Sequence, residues 1–128
     1  MTKLDPLELA VMQKLLDGEH PVLAALRRQF EVASVASREL TGAGFFTHFV
    51  IPAETVSAPL QGGKLQFGDV EATIVGLQHG AGFLLYIQDG VIQMLEGYSY
   101  EEPWPSNIEG FRLFYSDPTR KTIIHILK

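Results

Sequence analysis

The residues best equipped for chemistry are Glu96, Tyr98, Tyr100 and Trp104, with His48 and Arg38 far upstream. The run Glu96-Gly97-Tyr98-Ser99-Tyr100-Glu101-Glu102-Pro103-Trp104-Pro105 gathers aromatic rings and glutamates in a stretch stiffened by prolines. Tyr and Trp offer large contact areas with few rotors to freeze, and prolines limit the freedom lost on docking. The run therefore reads as a protein-binding loop, or as an aromatic flap over the open end of the core. Glu96 with His48 and Tyr98 would make a general acid–base set, since a carboxylate at an apolar rim holds its proton more tightly. His48 sits mid-strand in Phe45-Phe46-Thr47-His48-Phe49-Val50-Ile51, where both faces look apolar, so it is either a satisfied core histidine or a tuned catalytic one. Arg38 and Glu39 are neighbours in a strand and so point to opposite faces. An Arg38–Glu96 ion pair across the sheet rim would act as a brace or a ligand clamp.

Other chemistries find little support. The chain has no cysteine, which removes disulfides, thiolate nucleophiles, iron–sulfur clusters and cysteine-based zinc sites. His20, His48, His79 and His125 are scattered, with no pair at metal-ligand spacing, so no metal is expected. Gly42-Ala43-Gly44-Phe45 and its echo Gly80-Ala81-Gly82-Phe83 each open a strand, whereas a phosphate cradle needs a helix N-terminus. The echo reads as two turns with one steric need rather than a duplication. Gln61-Gly62-Gly63-Lys64 lacks the hydroxyl residue that would hold magnesium, so no cofactor is expected. The formal net charge is −5, and the adjacent basic pairs are Arg27-Arg28 and Arg120-Lys121, which argues against nucleic acid. No run approaches the roughly 18 apolar residues of a membrane span. Asp5, Glu8, Lys14 and Asp17 interrupt the apolar N-terminal stretch, which therefore does not read as a signal peptide; a cytoplasmic location is expected.

The elements that must position these residues form one α+β domain over 1–128. Asp5-Pro6-Leu7-Glu8 is a capping box with proline at the first helical position, and Leu4 and Leu9 occupy staple positions. A helix over 6–17 follows, with Leu9, Met12, Leu15 and Leu16 as its apolar stripe and Gly18 as its stop. Pro21 opens a second helix carrying Val22, Leu23, Leu26 and Phe30, giving a helical hairpin over about 6–31. The rest, about 32–127, reads as a mostly antiparallel sheet of about six strands, at 32–40, 44–51, 67–76, 82–88, 91–97 and 111–116. A last strand is expected at 122–127. Asp89-Gly90 is a favoured two-residue hairpin turn, pairing Gln88 with Val91, Ile87 with Ile92, Leu85 with Met94 and Phe83 with Glu96. That register places Phe83, Leu85, Ile87, Ile92 and Met94 on the core face and Glu96 at its rim.

The motifs Arg38-Glu39-Leu40-Thr41-Gly42-Ala43-Gly44-Phe45-Phe46-Thr47, Leu95-Glu96-Gly97-Tyr98 and Pro103-Trp104-Pro105 resemble those of a family of short uncharacterised bacterial proteins. The resemblance implies a bacterial cytoplasmic protein and transfers no catalytic residue. The reading that results is a non-catalytic protein-binding or regulatory module acting through 96–105, with Glu96, Tyr98, Tyr100, Trp104, Arg38 and His48 as binding residues. The alternative is a small-molecule site or small enzyme in a sheet pocket, using Glu96 with His48 or Arg38. A homodimer through a sheet edge or the Thr122–Leu127 run is the expected self-association.

Overall fold

A computed structural model describes residues 3–60 and 62–127. Helices α1 (Pro6–Leu15) and α2 (Pro21–Glu31) precede strands β1 (Ser34–Leu40), β2 (Gly44–Val50), β3 (Leu65–Phe67), β4 (Val70–Ile74), β5 (Ala81–Gln88), β6 (Val91–Ser99) and β7 (Phe111–Tyr115), and α3 (Lys121–Ile126) comes last. The fold is α+β, as a helical hairpin followed by a run of strands predicts. Every strand pairing is antiparallel, in the order β1-β2-β6-β5-β4-β7, with β3 beside β5. All three helices send buried side chains into one core with residues from a single face of the sheet, here called the inner face.

The capping box forms in full: Glu8 N–H donates to Asp5 at 2.8 Å and Asp5 N–H donates to Glu8 at 2.8 Å. Met12, Leu15 and Leu16 are buried as expected and are joined by Leu7 and Val11, whereas Leu9 faces solvent. The strand expected over 67–76 breaks at Gly68-Asp69, where Asp69 turns to receive Arg120 at 2.7 and 3.0 Å. The strand expected at 122–127 is a helix instead. Arg120 enters it with a left-handed backbone (φ 54°), and Ile123 and Leu127, one helical turn apart, are the pair that is buried. Arg120 also donates to the Leu15 and Asp17 carbonyls and lies over the Tyr115 ring at 4.4 Å, so it closes the C-terminal end of α1.

The central hairpin departs most instructively from its expected register. Asp89 and Gly90 both have positive φ, 55° and 72°, as the two-residue turn requires. Gln88 then pairs with Val91 and Ile87 with Ile92, but the register shifts at the next step: Tyr86 meets Met94, Leu85 meets Leu95 and Phe83 meets Gly97. Gln93 is the extra residue of a β-bulge, which reverses the facing of everything after it. Leu95 enters the core fully buried, while Met94 and Glu96, expected inside, turn to the outer face. The cause is Gln29 of α2, itself fully buried. Its Oε1 accepts from Ile92 N–H at 2.9 Å and its Nε2 donates to the carbonyls of Gly90 at 2.8 Å and Val56 at 3.2 Å. The bulge keeps a carboxylate out of the core, and Gln29 satisfies the N–H beside it. Gly97 takes the inward position beneath Phe45, where a Cβ would fall 2.3 Å from a ring carbon.

Gln29→Leu leaves Ile92 N–H without its partner in an apolar interior, a cost of about 1–3 kcal/mol. Urea denaturation of the variant should show a loss of that size, and a loss below about 0.5 kcal/mol, the usual range of a neutral surface change, would contradict the role given to Gln29.

Candidate functional site

The outer face is built as rows across the strands. Glu39, Phe46, Glu96 and Leu84 form one row; Ser37, His48, Met94 and Tyr86 form the next. A third runs Gly44, Tyr98, Gly82, Glu71, Phe114. Phe46, Leu84, Tyr86, Met94 and Tyr98 are half-buried, and Tyr100 and Phe114 are exposed at 38% and 42%. The two Gly-Ala-Gly turns find their explanation here. They lead into β2 and β5 on either side of β6, and their last glycines, Gly44 and Gly82, both pair with Tyr98. A Cβ on Gly82 would lie 2.6 Å from the Tyr98 hydroxyl and 2.7 Å from that of Tyr100, so glycine is what lets both phenols lie down on the sheet.

The phenols and carboxylates of this face are joined. Tyr98 and Tyr100 meet edge to face, with centroids 5.7 Å apart. Tyr100 reaches Glu71 Oε1 at 3.4 Å, and Ser116 Oγ donates to Glu71 Oε2 at 2.7 Å. Tyr86 donates to Glu96 Oε1 at 2.9 Å. Burial, then the neighbouring Tyr98 and Glu71, push the Tyr100 phenol up to about 12. Burial and Glu96 raise that of Tyr86. Both stay protonated donors across the physiological range.

The six residues singled out in the sequence separate into three places. Glu96, Tyr98, Tyr100 and His48 share the outer face. The stretch 96–105 is not one loop, because β6 continues through Ser99 by pairing with β5, and the loop starts only at Tyr100. His48 is no core imidazole: its side chain is 36% exposed and contacts Glu39 at 2.5 Å. His48 and Glu96 lie on adjacent strands of one face but in different rows, each bonded to another residue, so no His48–Glu96 hydrogen bond forms among the described residues. Trp104 lies apart from them, packed edge-on against the inner-face ring of Phe45 at 5.5 Å, with its backbone N–H on the Gly42 carbonyl at 2.7 Å. It walls a groove of about 420 Å³ together with Leu40, Ile108, Phe111 and Asp5. Glu102 is likewise structural, accepting from Gln78 and His79 N–H at 2.9 Å each, which holds its carboxyl below its ordinary value.

Arg38 faces inward, and the expected pair with Glu96 does not form because the two lie on opposite faces. Its partner is Glu8, the capping-box glutamate, buried at 0% exposure. Glu8 Oε2 accepts from Arg38 Nε at 2.7 Å and from the Thr47 hydroxyl; Oε1 accepts from Asp5 N–H and from Arg38 Nη2. Arg38 Nη2 also donates to the Lys3 carbonyl at 2.9 Å. The acceptor positions of this carboxylate are consumed in tying α1 to β1 and β2, so Arg38 is a brace and not a ligand clamp.

A cleft of about 510 Å³ lies at the other end of the outer face, lined by His48, Lys64, Gln66, Tyr86 and Met94. Among the described residues, no group of three or more His, Asp or Glu side chains is placed to hold a metal ion. No helix among them is long and apolar enough to cross a membrane. Sequence reasoning missed Glu71 and Phe114, whose membership in the face depends on pairings of β4 with β5 and β7 that no local pattern encodes, and Tyr86, which the β5–β6 hairpin sets opposite Met94. It also missed the burial of Gln29, although its spacing from Val22 and Leu26 on α2 carried that signal. Comparison with protein-family models, with curated proteins and with solved structures gives no match.

Arg38→Met strands the buried Glu8 carboxylate and should destabilise the fold by about 3–5 kcal/mol, read by urea denaturation. A loss under about 1 kcal/mol, the worth of an exposed pair, would mean the cluster is solvated. The Tyr100 phenol makes a second prediction. Its folded-state value lies above the ordinary 10.0, so its contribution to stability is full below pH 10.0 and is lost as pH rises through about 12. In ultraviolet titration of the native protein one phenol should ionise near pH 12, and Tyr100→Phe should remove it. A native titration unchanged by that substitution would contradict the packing of Tyr100 against Tyr98 and Glu71.

Proposed function

We propose that this chain is a non-catalytic bacterial cytoplasmic binding module that docks a protein partner on the outer face of its sheet. The observation that supports the reading is the aromatic and aliphatic face of Phe46, Leu84, Tyr86, Met94, Tyr98, Tyr100 and Phe114, while the helices contribute to the core on the opposite side. Contiguous apolar surface rimmed by polar groups is characteristic of interaction sites, and tyrosines give such surfaces their anchors. The candidate acid–base groups bond to separate partners and not to one another: His48 to Glu39, Glu96 to Tyr86, Arg38 to Glu8. A second reading, a small-molecule site in the cleft beside His48, is supported by the cleft's size, which falls in the range of ligand pockets.

The test uses the immobilised parent chain, a Tyr100→Ser/Phe114→Ser variant of two exposed outer-face rings, and a Leu9→Gln control on the solvent side of α1. Each is exposed to lysate of the native bacterium, and retained proteins and metabolites are identified by mass spectrometry. The proposal expects a protein retained by the parent and the control and lost from the outer-face variant. A protein partner held equally by all three contradicts the docking face, and a retained metabolite without a protein favours the cleft.

A further inference from the structure

We infer that the outer face recognises an arginine-bearing protein segment, with Glu71 and Glu96 receiving two guanidinium groups beside the Tyr98–Tyr100 pair. The inference rests on the binding-module reading and specifies its partner. Three carboxylates share this face, and Glu39 has His48 as its partner. Glu71 and Glu96 make no ion pair with any of the described residues, although both are half-buried. Their hydrogen bonds come from neutral hydroxyls and leave acceptor capacity unused. Glu96 Oε2 accepts nothing among the described residues, and Glu71 has a good contact from Ser116 but only a long one from Tyr100. A carboxylate offers about four acceptor positions, enough for a bidentate fork besides these bonds. Arg112 on the same face is exposed and pairs with Thr73, one row from Glu71, and it forms no ion pair with Glu71.

The rings decide between the two basic side chains. Tyr100 is 38% exposed and meets Tyr98 edge to face, so aromatic surface lies beside the Glu71 carboxylate. A guanidinium can stack on such a ring while its edge bonds the carboxylate, whereas an ammonium is compact, strongly hydrated and has no planar fork. Spacing then defines the partner further. Glu96 and Glu71 lie two strands and one row apart, which places them on the order of 12 Å apart from a strand spacing of about 4.8 Å and a rise of about 3.4 Å per residue. An extended segment spans this distance with two arginines separated by three residues.

The probe is the capped peptide Gly-Arg-Ser-Gly-Ser-Arg-Gly, with a counterpart carrying lysine at both basic positions. Each is titrated into the isotope-labelled full chain at low salt and followed by amide shifts. The expected result is saturable shifts centred on Tyr98, Tyr100 and Glu71, at least about fivefold tighter for arginine than for lysine. Glu71→Gln/Glu96→Gln should weaken the arginine peptide by about tenfold or more, as loss of charge-assisted pairs requires. Equal affinity for the two peptides, no saturable shift, or indifference to the double substitution overturns the inference. Passing the same glutamine variant over the lysate separates the two readings. A partner lost from Tyr100→Ser/Phe114→Ser but kept by the glutamine variant leaves the docking face standing and refutes the arginine; a partner indifferent to both refutes the docking face itself.

Discussion

The contact between the Gln29 side chain and the backbone around Gly90 and Ile92 sets which way half of the central strand points. A strand has a side-chain period of two, so a single extra residue exchanges its faces. With the bulge, Leu95 and Gly97 fill the inward positions and Glu96 and Tyr98 look outward. Without it, Glu96 would have to lie against Phe83 in an interior that offers no cation there. The register is thus held from both sides, by a buried amide on a helix and by the cost of burying a carboxylate.

The ion pairs that fasten the helix layer lie on the inner side. Glu8, Arg38 and Thr47 tie the start of α1 to β1 and β2, while Asp69 and Arg120 tie its end to β4 and α3. Arg27 adds bonds to the Leu16 and Gly18 carbonyls at 2.5 and 2.6 Å. The helix layer is therefore fastened at several points, and the described residues leave no buried side-chain polar atom unpartnered. The outer face differs, with Glu71 and Glu96 held only by neutral hydroxyls and rings left partly in water. A scaffold satisfied on one side and under-neutralised on the other has its unspent interactions where a partner would meet them.

Much of the fold is legible in the residue order because its signals are local. The capping box at Asp5, the proline at position 21 and the Asp89-Gly90 turn each fix a few backbone angles and need no distant partner. The larger errors arise where a distant residue decides. Gln29 imposes the bulge from α2; Arg120, held by Asp69, turns an Ile-rich run with both periodicities into a helix; Glu8 claims the arginine that strand parity alone would offer to the rim. Of the candidate site, Glu96, Tyr98, Tyr100 and His48 do share a face. The company they keep there, Glu71 and Phe114 above all, comes from strand order, which periodicity does not contain.

Because the chain has no cysteine, single cysteines can report the facing of β6 one residue at a time. The decisive measurement is the maleimide labelling rate of folded Met94→Cys, Leu95→Cys and Glu96→Cys, each compared with its own rate in denaturant. The account predicts strong protection at 95 and far weaker protection at 94 and 96. Protection at 94 and 96 with rapid labelling at 95 would place Glu96 against the core, remove the bulge, and with it the outward carboxylate and tyrosine face on which the docking proposal stands.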